Sequence, residues 1–275
     1  MPSGKRAKQM RREAAVRTPP PVRSKGAPGG VRQASPRVLA IAGGVVVVAA
    51  IAIVLGIVLS RGGKPAPTDL PKVGSATWEG ALQGSTDVRK LFKGIPEHGL
   101  VLGSLNAPAT LTEFIDLQCP VCQVFETQQL PTLIQKYVRT GKLDVQMQPW
   151  AIRGPASVTG QSATIAASLQ NKAFQFAEML YLNQGAENSG WLNENMIGLA
   201  SASVDGLRPA KVLSEMSSSG VKSAVTGVDR RAATANFEYT PTLLLNRKGK
   251  TPRVVSQGLP SLSTLEAEIE SAARS

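Results

Sequence analysis

Cys119-Pro120-Val121-Cys122 is where residue type and spacing together suggest bond-making chemistry in this 275-residue chain. Cysteines three positions apart across a helix start present both sulfurs on one face, close enough to form a small disulfide ring. Pro120 suits the first helical position, where its missing N–H costs nothing. Cys119 then sits at the helix N-terminus, where unpaired backbone N–H groups and the positive end of the dipole stabilise a thiolate. A lowered pKa makes a thiol both nucleophile and leaving group, the two properties that thiol–disulfide exchange requires. Cys122, one turn in, is placed as the resolving thiol. Three plainer roles compete: half a zinc site, a structural disulfide, or two idle thiols. Zinc needs two more ligands, and the chain offers only one histidine, His98, besides carboxylates. A ring this small restrains little of the unfolded chain.

Three further positions bear on the pair. Glu113 lies six residues before Cys119 in a run of otherwise buried character, where a carboxylate near a thiol can take its proton as a mixed disulfide resolves. A Glu113 turned to solvent is the plainer alternative. Glu126, one turn beyond Cys122, is either a second acid near the thiols or an ordinary helix-surface charge. Thr240-Pro241-Thr242 precedes an apolar run, and proline at a strand start often marks a turn. A cis peptide there would leave the Thr240 backbone free to pair with an extended substrate. With one histidine, a Ser-His-Asp hydrolase is disfavoured.

The elements that must hold these residues follow from periodicity. Ala109–Leu117 is β-branched and apolar, as a buried central strand should be, and Gly99–Gly103 is a short strand candidate. Apolar residues at three- and four-residue steps from Val121 to Val138 give a helix, kinked at Pro131 and stopped near Gly141. Leu143, Val145 and Met147 alternate with Asp144, Gln146 and Gln148, the pattern of a half-exposed strand. Residues 155–235 read as helices over 156–170, 172–184, 193–202, 208–217 and 220–235. Strands are expected at 242–246 and 253–257, then a helix with a capping box, Ser263-x-x-Glu266. Without the helical block the order is βαβ…ββα, the α/β plan of thioredoxin.

The segment LGSLNAPATLTEFIDLQCPVCQVFE, with Pro131, the helical insert and YTPTLLLN, resembles the DsbA-like thiol–disulfide oxidoreductases of bacterial envelopes. The likeness covers about residues 94–273. It implies a thioredoxin-like fold with a helical insertion, Cys119 as nucleophile, Cys122 as resolving thiol, and Pro241 as a cis-proline beside the redox site. Glu113 and Glu126 match the family's acidic positions. Strongly oxidising members carry histidine third in the motif; here Val121 removes that cationic neighbour. The implied partners are secreted or envelope proteins with cysteines, and a membrane-embedded oxidase for recycling, with no cofactor and no metal. A reductase or isomerase on the same fold, and a redox-inert binding module, are the alternatives.

Charge and hydropathy place this domain. Residues 1–37 hold ten Lys/Arg against Glu13, giving +9 of the net +12. No aromatic residue interleaves them, so the basic arm is not expected to bind nucleic acid by stacking. Residues 38–60 are uncharged and apolar, and about 34 Å of helix at about 1.5 Å per residue would cross a bilayer. The run is too long for a signal peptide's apolar region and lacks a polar face. The arm's excess of cations over the far flank puts the N-terminus in the cytoplasm and the catalytic domain outside, at the cell membrane. Residues 61–88 read as a linker and 89–275 as the folded domain.

Overall fold

A computed structural model describes residues 81–274. The arm, the 38–60 segment expected to contact the lipid bilayer, and most of the linker lie outside these residues. Among the described residues no helix is long and apolar enough to cross a membrane.

The β-branched run becomes the centre of the molecule. Strand β3 (Ala109–Ile115) is buried at every position but Thr110. It pairs in parallel with β4 (Leu143–Pro149) and antiparallel with β5 (Thr242–Arg247). Hairpin strands β1 (Glu97–His98) and β2 (Val101–Leu102) extend the sheet beyond β4, and β6 (Arg253–Gln257) beyond β5, giving the order β1-β2-β4-β3-β5-β6. With helices on both halves of the chain, this is the expected α/β thioredoxin-like frame split by a helical insertion.

The order of helices completes that frame. Helix α1 (Ser85–Phe92) precedes the sheet, and α2 (120–138) joins β3 to β4. The insertion contributes α3 (Pro155–Ser168), α4 (Ala173–Leu182), α5 (Glu194–Ala202), α6 (Pro209–Glu215) and α7 (Ser219–Thr234). All five stand within a few residues of their expected bounds. Helix α8 (Leu262–Ala273) closes the chain and packs on β5 and β3.

Three local expectations are corrected. The linker ends before residue 88, because Ser85–Val88 opens α1, which buries Val88 and Phe92 one turn apart. Two of the three polar residues of β4 are buried and only Gln146 stays half-buried: Asp144 accepts from the Thr110 hydroxyl, and Gln148 accepts from Arg231 of α7. Asp144 finds its partner on the adjacent strand and Gln148 on a covering helix. Helix α8 is capped by Ser261, whose Oγ accepts from Thr264 N at 3.2 Å, and not by Ser263. Glu266 of the expected box instead accepts from Lys136.

Helix α2 meets Pro131 by a change of winding. A proline lacks the N–H for the preceding turn and its ring crowds the carbonyl four residues back. Between the α-helical turns Pro120–Val124 and Leu130–Leu133 lies a π-helical stretch, Phe125–Gln129, which takes up the mismatch. A second π-helical stretch, Ile134–Val138, leads to Gly141, whose φ of 69° suits glycine and ends the helix as expected.

Candidate active site

Strand β3 delivers the cysteine pair through a four-residue turn organised by Asp116. Its buried carboxylate accepts from Gln118 N (2.8 Å) and the Ser157 hydroxyl (2.7 Å) through Oδ1. Through Oδ2 it accepts from Ile152 N (2.7 Å) and Arg153 N (2.9 Å). One side chain thus ties the β3–α2 turn, the β4–α3 loop and the first turn of α3 together. Cys119 follows as the extended N-cap of α2, with Pro120 at the first helical position. Both cysteines are free thiols, and both are buried.

The two sulfurs are driven in opposite directions. The Cys119 thiol is lowered to about 6, chiefly by the hydrogen bond from Cys122, with help from the backbone N–H groups of Cys122 and Val121. Burial opposes this and loses. Cys122 is held well above the ordinary thiol range by its burial and by its hydrogen bond to Cys119. A stabilised thiolate beside a reluctant one is the asymmetry that directional exchange needs.

The loop before β5 brings in the second expected pair. The Thr240–Pro241 peptide bond is cis, and the Cys119 thiol donates to the Thr240 carbonyl at 3.3 Å. Thr242 and Gly258 brace this loop by donating to the carbonyls of Tyr239 and Pro241. The Thr240 hydroxyl is buried without a protein acceptor. Cys119, Cys122, Thr240 and Pro241 are therefore brought together.

The acids are placed differently. Glu113 is fully buried, and neither of its oxygens has a hydrogen-bond partner, so it makes no hydrogen bond to the thiols. It faces Glu178 of α4, and burial first, that neighbour second, pushes it up to about 8. Glu126 is not a surface charge: it is buried near the same two acids and held well above the usual carboxylate range. Glu178, itself pushed up to about 8 by burial, went unnoticed in the sequence. Its signal was present, since Phe174, Glu178 and Tyr181 share one apolar helix face. Arg153 also escaped notice. Its Nη2 lies 4.0 Å from Cys119 Sγ, a contact made only when the β4–α3 loop folds back over the motif.

The insertion braces the site as well. Tyr181 of α4 donates to the Asp116 carbonyl at 3.0 Å, and Gln184 donates to Leu117 O at 2.8 Å and Cys119 O at 3.4 Å. Gln123 of α2 donates back to Tyr181 O.

A family model described as thioredoxin matches residues 96–257. The chain is 24% identical over 148 residues to the "Probable disulfide bond formation protein D" of Bacillus cereus, covering 53% of this chain and 68% of that protein. Its fold is similar to the crystal structure of oxidised BdbD from Bacillus subtilis, with a TM-score of 0.58 and 22% identity, over 66% of this chain and 97% of the other. Wolbachia pipientis alpha-DsbA1 is also similar, with a TM-score of 0.55 and 14% identity, over 66% and 92% of the two chains. A matched region of this extent, with the cysteine pair at the start of α2 and a helical insertion dividing the frame, settles the relationship: the chain belongs to the thioredoxin family, as a DsbA-like member of it.

Proposed function

We propose that this DsbA-like thiol–disulfide oxidoreductase donates disulfides to extracytoplasmic proteins that carry cysteine thiols. The opposed acidities of Cys119 and Cys122 are the observation that supports this reading. A substrate thiolate attacks Cys119 of the oxidised pair, forming a mixed disulfide and releasing the Cys122 sulfur, which takes a proton. A second substrate thiolate then attacks the substrate's own sulfur and expels Cys119 as its stabilised thiolate. Two electrons pass from the substrate dithiol to the pair, and the substrate keeps the disulfide. Stabilising the leaving thiolate favours the reduced enzyme, and so drives oxidation of the partner.

The surroundings suit an unfolded polypeptide. Val121 of the motif and Tyr239, next to the Thr240–Pro241 pair, are exposed large apolar side chains. Segments 1–37 and 38–60 would tether the domain to the outer face of the cell membrane, and a membrane-embedded oxidase would restore the disulfide. Glu113 is proposed to act on this site from a distance, as part of the buried acid group. The absence of histidine at position 121 favours a second reading, a milder isomerase or reductase.

Equilibration of the purified protein with glutathione buffers separates these readings. A relatively oxidising potential is expected, and a strongly reducing one would overturn the donor role. Cys122→Ser lacks the sulfur whose return attack on Cys119 can release a bound substrate sulfur. It should accumulate reductant-sensitive complexes with envelope proteins, whereas Cys119→Ser should form few. Equal, negligible trapping by both variants would favour a redox-inert binding module.

A further inference from the structure

Cys119 has no accessible surface, although a substrate sulfur must reach it. A side chain from outside the motif reaches it. Arg153 brings Nη2 to 4.0 Å from the Cys119 sulfur, while its Nη1 lies 3.9 Å from Glu187 Oε2 in the loop after α4. Its Nε is buried with no partner. The guanidinium therefore bridges a sulfur and a carboxylate, and the side chains of Arg153 and Glu187 are each 35% exposed.

This placement is built by the backbone. Ile152 N and Arg153 N are both held by Asp116 Oδ2, and the Arg153 carbonyl accepts from the Gln118 side chain at 3.5 Å. Gly154 follows at φ 115° and ψ −175°, a conformation side chains other than hydrogen rarely allow. A Cβ there would meet Asn188 Oδ1 at 2.7 Å. Asp116 lies in the turn before the motif, Cys122 and Glu126 on α2, Tyr181 on α4 and Glu187 beyond it; Arg153 is the cation in this set.

We propose that Arg153 is a cationic cap on the nucleophile, which covers Cys119, stabilises its thiolate in place of the charge missing at Val121, and transfers to Glu187 when a substrate sulfur approaches. The proposal rests on the thiol–disulfide reading above. A positive charge some 4 Å from a partly desolvated thiolate favours the ionised form. The same group obstructs the sulfur, so it must have somewhere to go, and Glu187 supplies that second anion.

The test uses the full-length protein with Arg153→Gln, Arg153→Lys, Glu187→Gln and the Arg153→Gln/Glu187→Gln double variant, each checked for fold by circular dichroism. The readouts are thiolate absorbance and the iodoacetamide rate of Cys119 against pH. In Arg153→Gln the midpoint should rise by about one pH unit, as loss of one close opposite charge implies. The alkaline plateau rate should increase, because the cap is gone. Arg153→Lys should restore at least half of the midpoint. Glu187→Gln should move midpoint and plateau the other way, and this effect should vanish when Arg153 is Gln.

With glutathione near pH 7, Arg153→Gln should favour the oxidised form roughly fivefold more than the parent does, the linkage result for such a shift. An unchanged midpoint in a folded Arg153→Gln protein would overturn the cap. So would a Glu187→Gln effect that persists without Arg153. Should Arg153→Gln fail to fold, Glu187→Gln alone decides, an unmoved midpoint counting against the proposal. Alkylation needs no turnover, so a parent protein without a reversible glutathione couple would sink the oxidoreductase reading and leave the cap to be judged separately.

Discussion

At Cys119 and Cys122 the same functional group meets two environments one helical turn apart. Cys119 receives hydrogen bonds as a thiolate, whereas Cys122 is buried and donates. Alkylation of the reduced protein should therefore be half-maximal near pH 6 at Cys119, while Cys122 stays slow through the alkaline range. Equal rates at the two sulfurs, followed by mass spectrometry, would contradict this asymmetry. Glu113 gives a second prediction. Its folded pKa of about 8 stands above the ordinary 4.5, so across that window the native state holds a proton the unfolded chain has released. Its contribution to stability is fully present below about 4.5 and is lost as pH rises through about 8. Glu113→Gln mimics the protonated form. It should stabilise the protein by about 2 kcal/mol at alkaline pH and change little in acid, judged by urea unfolding. The same gain at both ends of the range would mean that Glu113 is not the group responsible.

The elements around the site depend on Asp116 more than on any local propensity. Four donors from three segments converge on its carboxylate. Asp116→Ala would strand them at a buried position, and about 3 kcal/mol or more should be lost from the urea-unfolding free energy. A loss below about 1 kcal/mol would show the loops to be held by other contacts. At the periphery, Ser261→Ala should cost about 1 kcal/mol, the usual worth of an N-cap, whereas Ser263→Ala should cost far less. Element type was legible from the chain because apolar period separates β3 from α2 and marks all five helices of the insertion. Element surroundings were not. Asp144 and Gln148 look like a solvent face until Thr110 and Arg231 arrive from elsewhere. The cysteine pair announces itself by spacing, and Thr240-Pro241 by its place before a strand. Arg153 has no local pattern, because its meaning arises only from a contact across 34 positions.

For the molecule as a whole, charge is segregated along the chain: the first 37 residues hold most of the net +12, and the rest is nearly balanced. If residues 38–60 span the membrane with the arm inside, protease added to intact spheroplasts should digest the domain and spare the arm. Protection of the domain until lysis would reverse the topology. The interlock between insertion and motif bears on how such a fold can be altered. Tyr181 and Gln184 hold the carbonyls on either side of the cysteine turn, and Glu178 lies against Glu113 on the central strand. The insertion is therefore not a detachable module. Grafting the CPVC tetrapeptide onto a bare βαβ–ββα frame would carry its covalent structure but not its acidity. Conversely, remodelling α4 would retune the sulfurs at the same stroke, so that the packing of the insertion and the acidity of the pair must change together.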